Sequence, residues 1–213
     1  MSKRPTFAPI VATLLLAAHS AGGQVHERRP SSLHFLQYGV AFAAENLLSG
    51  GSVCPGEATS PCILGPGLGL AVRMGYRTRG LWYWGGAYEA TRHDSSNILR
   101  LGMLQQVRGE VRYLFDQGNR LTPYATGGAG AAFYGNEWGV DTAGPTLHLG
   151  LGAEYQASTT VVVGMALGWR LITLREWRDG TGQRRATDPL GLGLSQWLSL
   201  ELVMEIRNPL PRW

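Results

Sequence analysis

Residues 191 to 206 read Gly191-Leu192-Gly193-Leu194-Ser195-Gln196-Trp197-Leu198-Ser199-Leu200-Glu201-Leu202-Val203-Met204-Glu205-Ile206. Leu192, Leu194, Leu198, Leu200, Leu202, Met204 and Ile206 fall at alternate positions, opposite Gly191, Gly193, Ser195, Ser199, Glu201 and Glu205. A period of two is the signature of a strand with two unlike faces. The run is far longer than the ~5–6 residues of an ordinary soluble strand.

Working back toward the N-terminus, the same alternation recurs. Val161, Val163, Met165, Leu167, Trp169 and Leu171 stand against Gly164, Ala166, Gly168 and Arg170, and Leu147, Leu149, Leu151, Ala153 and Tyr155 against His148, Gly150, Gly152, Glu154 and Gln156. Leu101, Met103, Val107, Val111, Tyr113 and Phe115 oppose Arg100, Gln106, Arg108, Glu110 and Arg112, with Gln105 and Gly109 interrupting the apolar side. Leu68, Leu70, Val72, Met74 and Tyr76 oppose Gly67, Gly69, Ala71, Arg73 and Gly75. Three weaker segments, about 33 to 44, 80 to 91 and 121 to 134, bring the number to eight, and in the Gly/Ala-rich third of these the facing stays open. A tilted strand needs ~9–11 residues to cross a bilayer, so the segments are long enough.

Alternation alone permits two opposite barrels, because a soluble lipocalin-like carrier has the same period with its apolar face inside. The polar faces decide between them. They carry Arg73, Arg100, Arg108, Arg112 and Arg170 together with Glu89, Glu110, Glu154, Glu201 and Glu205, interleaved with glycine. Paired charges and small residues suit a narrow lumen; on a soluble surface so many strand glycines would only weaken the sheet. The 30 glycines of the 213 residues are about twice an average share.

Connection lengths agree. Thr78-Arg79, Asp116-Gln117-Gly118-Asn119 and Ala157-Ser158 are tight, whereas 45 to 64, 92 to 98, 135 to 144 and 175 to 189 are longer. Such alternation separates periplasmic turns from extracellular loops. Tyr76, Trp82, Trp84, Tyr113, Phe115, Tyr155 and Trp169 lie on the apolar face, several near strand ends, as an interfacial aromatic girdle requires. The expected fold is all-β: a single eight-stranded antiparallel up-and-down transmembrane barrel over residues 33 to 207, followed by a short tail, 208 to 213.

The N-terminus reads as an export signal, residues 1 to 23: Lys3 and Arg4, an apolar run from Ile10 to Ala18, then Ser20, Ala21, Gly22 and Gly23. No cysteine follows the cut, so no lipid anchor is expected, and residues 24 to 32 read as a short periplasmic segment. In an oxidising compartment Cys54 and Cys62, enclosing a short Pro/Gly/Ser stretch, are expected to form a disulfide. The net charge is +4, but the arginines are scattered and alternate with glutamates, which does not support nucleic-acid binding.

With the export signal, eight segments and loop alternation in place, residues 33 to 207 resemble the small outer-membrane β-barrel superfamily typified by OmpA-like transmembrane domains. The resemblance is architectural and carries no binding residue. It implies residence in the bacterial outer membrane, with outer-membrane lipid and the barrel assembly machinery as partners. The family's last strand usually ends on an aromatic residue; here Ile206-Arg207 is followed by Asn-Pro-Leu-Pro-Arg and Trp213.

Chemistry is sparse. His93-Asp94-Ser95-Ser96-Asn97 resembles the His-x-Ser-Asn motif of outer-membrane lipid A deacylases, and an esterase using His93 and Ser95 is the alternative function. Ser96 interrupts that motif, and no glutamate stands on the lipid-facing side, so the segment reads as a polar loop with turn hydrogen bonds. His148 lacks a second histidine at ligand spacing and is expected to hydrogen-bond the Arg/Glu cluster; no metal or cofactor is implied. For the loop from Arg175 to Arg185, contact with anionic lipopolysaccharide and a merely solvated charged loop both stand open. The leading expectation is a non-enzymatic barrel with a side-chain-filled lumen.

Overall fold

The computed structural model describes residues 34–54, 62–115, 120–180, 182–186 and 189–210; the export signal, the turn at 116–119 and Trp213 lie outside them. The alternating segments become strands β1 (Phe35–Ser49), β2 (Gly67–Arg77), β3 (Trp82–His93), β4 (Gly102–Leu114), β5 (Leu121–Asn136), β6 (Thr142–Gln156), β7 (Val161–Arg175) and β10 (Leu192–Pro209). Two short strands, β8 (Trp177–Arg178) and β9 (Arg184–Arg185), pair with each other in the connection between β7 and β10.

The eight long strands close an antiparallel barrel in which each pairs with its chain neighbours and β10 returns to β1. The seam runs in unbroken register from Phe35↔Pro209 to Leu47↔Trp197. Closure leaves no unpaired edge, the condition under which backbone can sit in hydrocarbon.

The faces sort by polarity, with the apolar one outward. On β2, Leu70 is 65% exposed and Arg73 only 5%. Along β10, Leu198, Leu200, Leu202, Met204 and Ile206 point out while Ser199, Glu201, Glu205 and Arg207 are buried. The carrier with an apolar interior is thereby overturned. On β5, whose facing the sequence left open, Thr122, Tyr124, Thr126, Ala132 and Tyr134 are buried inward.

Several strands outrun their hydrophobic pattern. β1 continues to Ser49, β3 to His93, β7 to Arg175 and β10 to Pro209, and β6 starts at Thr142. The outward residues of the loop-end extensions include Asn46, Thr173 and Arg175. Once a strand leaves hydrocarbon its outer side chains no longer need to be apolar, while the hydrogen-bond ladder goes on. The third of the longer connections shrinks to 137–141, shorter than the 115–120 connection at the opposite end, so the alternation of lengths is weaker than the sequence suggested. At the turn end, Ser158 Oγ accepts from the Thr160 and Val161 N–H groups at 3.2 and 2.9 Å, closing the β6–β7 turn.

Inside, the barrel has storeys. Tyr83, Leu114, Tyr124 and Ala166 pack at the turn end. Charged side chains fill the middle. At the loop end Leu104, Ala132, Tyr134, Ile172, Leu174 and Trp197 meet Val53, Ile63, Leu64, Trp177 and Ala186 from the connections in one apolar cluster. Inward glycines make room for the large residues: the Tyr83 ring lies across Gly75, whose added Cβ would stand 2.5 Å from the ring's Cζ.

Candidate functional site: the lumen ion-pair network and its cap

Every second residue of a strand faces the lumen, so eight strands deliver their inward charges to one narrow column. Six arginines (73, 77, 108, 112, 170 and 207) and six glutamates (45, 89, 110, 154, 201 and 205) are buried there. Arg170 donates through Nη1 to Glu89 Oε1 at 2.6 Å and through Nη2 to Glu89 Oε2 at 2.9 Å, and also reaches Glu201 at 2.5 Å and Glu45. Arg108 donates to Glu89 at 2.6 Å and to Glu201 at 3.1 Å. Arg73 pairs with Glu201, and Arg112 bridges Glu110 at 2.7 Å and Glu205 at 2.8 Å. The Arg112 guanidinium also lies 4.4 Å over the Tyr83 ring.

Nearer the turn end, Glu154 Oε1 accepts from both Arg77 and Arg207 at 2.5 Å, and Arg207 Nε donates to Gln37 at 3.0 Å. The equal count of opposite charges makes the column neutral, which is what a site with little water requires. Nε of Arg73, Arg108 and Arg170, Gln106 Nε2 and the Tyr83 hydroxyl have no hydrogen-bond partner among the described residues, although Glu110 lies 3.9 Å from Nε of both Arg73 and Arg108.

Four of the five expected arginines and all five expected glutamates stand in this column. Arg100 does not: its side chain is 86% exposed and pairs with Glu137 at 3.2 Å outside the barrel. It has the right parity but precedes the start of β4, so no strand turns it inward. Sequence reasoning missed Gln37, Glu45, Arg77 and Arg207. Arg77 and Arg207 carry a readable signal, since Arg77 extends the parity of Arg73 and Arg207 that of Glu205, whereas Glu45 falls in the stretch that reads as the 45 to 64 connection.

His93 is likewise inside, not in a loop. Its Nδ1 lies 2.9 Å from the Gly65 carbonyl, its Nε2 3.1 Å from Glu45 and 2.9 Å from Thr91 Oγ1, and its ring stands edge-on to Trp197. Ser95 Oγ donates to the Leu99 carbonyl at 3.1 Å. Both ring nitrogens therefore face groups other than Ser95, an arrangement unlike a nucleophile–base pair. His148 is buried, and its Nδ1 lacks a partner among the described residues, so that nitrogen does not make the bond expected to the Arg/Glu cluster.

The connections at the loop end fold into a cap. Cys54 and Cys62 are joined, with Cα atoms 4.7 Å apart, next to a 3-10 turn at Gly51–Val53. Tyr134 donates from inside the barrel to the Ile63 carbonyl at 2.6 Å, and Ser96 Oγ to the Cys62 carbonyl at 2.9 Å. Arg185, buried, pairs with Asp179 at 2.8 Å within the β8–β9 hairpin, and the Ala186 N–H donates to the Ser52 carbonyl at 3.2 Å. Two connections and the hairpin are thus tied over the apolar storey.

On the outside, Tyr76, Trp82, Trp84, Phe115 and Tyr155 are exposed at the turn end with Tyr113 beside them, while Trp169 lies further along the wall, paired with Leu149 and Leu198. Trp82, Tyr113 and Phe115 form successive edge-on contacts at 4.9 and 5.1 Å between ring centres. The polar interruption Gln105 is matched by Tyr88, whose hydroxyl donates to it at 2.9 Å.

No protein-family model and no curated protein matches the sequence. Among solved structures, Neisserial surface protein A is similar at 14% identity and a TM-score of 0.53, over 81% of this chain and 96% of that one. The outer membrane protein OprG from Pseudomonas aeruginosa is similar at 10% identity and a TM-score of 0.53, over 83% and 96%. At such identities the likeness is one of fold, and the fold this chain shares with them is that of the small eight-stranded transmembrane β-barrel.

Proposed function

We propose that this chain is an integral protein of a bacterial outer membrane, exported by its N-terminal signal and inserted by the barrel assembly machinery, with the turns in the periplasm and the cap at the cell surface. The carrying observation is the sorting of faces: leucines, valines and aromatics outward around a closed barrel, and twelve mutually paired charges within. Its role is structural or one of surface interaction, without catalysis. A lumen filled by ion pairs and closed by an apolar storey offers no wide aqueous path, and the partners of His93 and Ser95 leave the esterase reading without a catalytic pair.

Membrane fractionation followed by electrophoresis with and without boiling tests the reading. The folded barrel is expected in the outer-membrane fraction, resistant to carbonate extraction and shifted in mobility on heating. Recovery in the soluble periplasmic fraction, with no heat shift, would overturn it.

A further inference from the structure

The outward faces of the eight barrel strands bear two charged side chains among the described residues, Arg92 on β3 and Arg175 on β7. Both are cations, and both stand at the loop end. Arg92 lies in register with Leu68 on β2 and Met103 on β4, and its side chain forms no ion pair or hydrogen bond with another described residue. An arginine on a lipid-facing wall extends its guanidinium toward the headgroup boundary, where a fixed cation favours anions.

Beside Arg92 the structure has a cavity of about 770 Å³. Ala44, Leu68 and Arg92 at the strand ends line it together with Asp94, Asn97 and Arg100 of the 94–101 connection, and Glu45 and His93, both buried and 3.1 Å apart, also border it. Asp94 is partly engaged, its Oδ1 accepting from the Ser96 N–H at 2.9 Å. The exposed Arg100 reaches Glu137 at 3.2 Å, a surface pair that a stronger anion can displace at little cost. Below the cavity the wall continues as Phe42, Leu70 and Val72, all exposed. A ligand fitting this strip carries an acyl chain beneath a phosphate, and the planar guanidinium is the side chain that grips phosphate in two-pronged fashion.

We infer that this rim cavity holds the phosphate-bearing headgroup of an outer-leaflet glycolipid, with Arg92 and Arg100 as its cationic contacts and the wall below Leu68 lying along its acyl chains. The inference rests on the outer-membrane reading above. A free anion would use the two arginines but have no use for the apolar wall.

The test uses the mature protein refolded in detergent micelles, with bisphosphorylated lipid A as probe and native mass spectrometry counting lipid retained per barrel. Arg92→Gln with Arg100→Gln is expected to weaken retention about tenfold, and dephosphorylated lipid A to bind wild type no better than the bisphosphorylated form binds the double variant. Arg184→Gln, in the connection between β7 and β10 and paired with Glu176, is expected to match wild type. Equal retention by wild type and double variant, indifference to the phosphates, or displacement of lipid A by millimolar inorganic phosphate would each overturn the proposal. A heat-induced mobility shift in every variant establishes that the barrel is folded; its absence in wild type would instead sink the outer-membrane reading.

Discussion

Arg170 and Glu89 face each other across the lumen with both side chains fully buried, joined by two parallel N–H···O bonds of 2.6 and 2.9 Å. They come from β7 and β3, strands that are not neighbours in the barrel, so the pair braces opposite walls. Breaking a buried pair from one side strands a charge, which costs far more than the intact pair contributes. Arg170→Met is therefore expected to destabilise the barrel by roughly 3–5 kcal/mol, read as a lowered midpoint in urea titrations of the protein in lipid vesicles.

The outward wall answers a different test. Val72 lies midway along β2, half exposed, with Val40 and Tyr88 beside it in register. If hydrocarbon covers it, Val72→Arg costs about 2–4 kcal/mol in the same titrations. A change within experimental error would mean water covers that face.

Glycines on the two faces should behave oppositely. A Cβ at Gly85 would collide with the Tyr83 hydroxyl and stand 2.7 Å from the Met74 carbonyl, whereas one at Gly109, on the outer face, meets nothing nearer than 3.9 Å. Gly85→Ala is expected to slow or abolish refolding, followed by the appearance of the heat-shifted band. Gly109→Ala is expected to refold as wild type.

The cap can be loosened without touching the barrel. Replacing Cys54 and Cys62 together by serine opens a short covalent loop, with a loss of roughly 2–3 kcal/mol, borne by the connection more than by the strands. Limited proteolysis of intact cells or vesicles is expected to cut the double variant within residues 50–66 much faster than wild type, while both keep the heat shift. Equal cleavage rates would show that Tyr134, Ser96 and the apolar storey hold the cap unaided.

The ion-paired lumen also predicts electrical silence. Wild type in planar bilayers is expected to give no sustained conductance. Stable open steps of porin size would contradict the closed interior.

The period of two along Leu192–Ile206 and its counterparts, with glycine and paired charge on one face and aliphatic chains on the other, determined the strand number, the closed barrel and which side faces out. Those properties are local: each follows from what hydrocarbon demands of one face of one strand. The tertiary structure decided what depends on where a strand stops and what stands across the lumen. Arg100 keeps the parity of an inward residue and yet lies outside, whereas Glu45 and His93 look like loop residues and yet meet inside, because the backbone ladder continues past the point where side chains carry a hydrophobic signal. Arg73 finds Glu201 from 128 positions away, a pairing chosen by barrel curvature and side-chain reach and invisible in the spacing of residues along either strand. The apolar cap belongs with these: Val53, Ile63 and Trp177 sit in the connections, where a 3-10 turn and a two-residue strand are too short to show a period, and only the folded chain gathers them over Trp197.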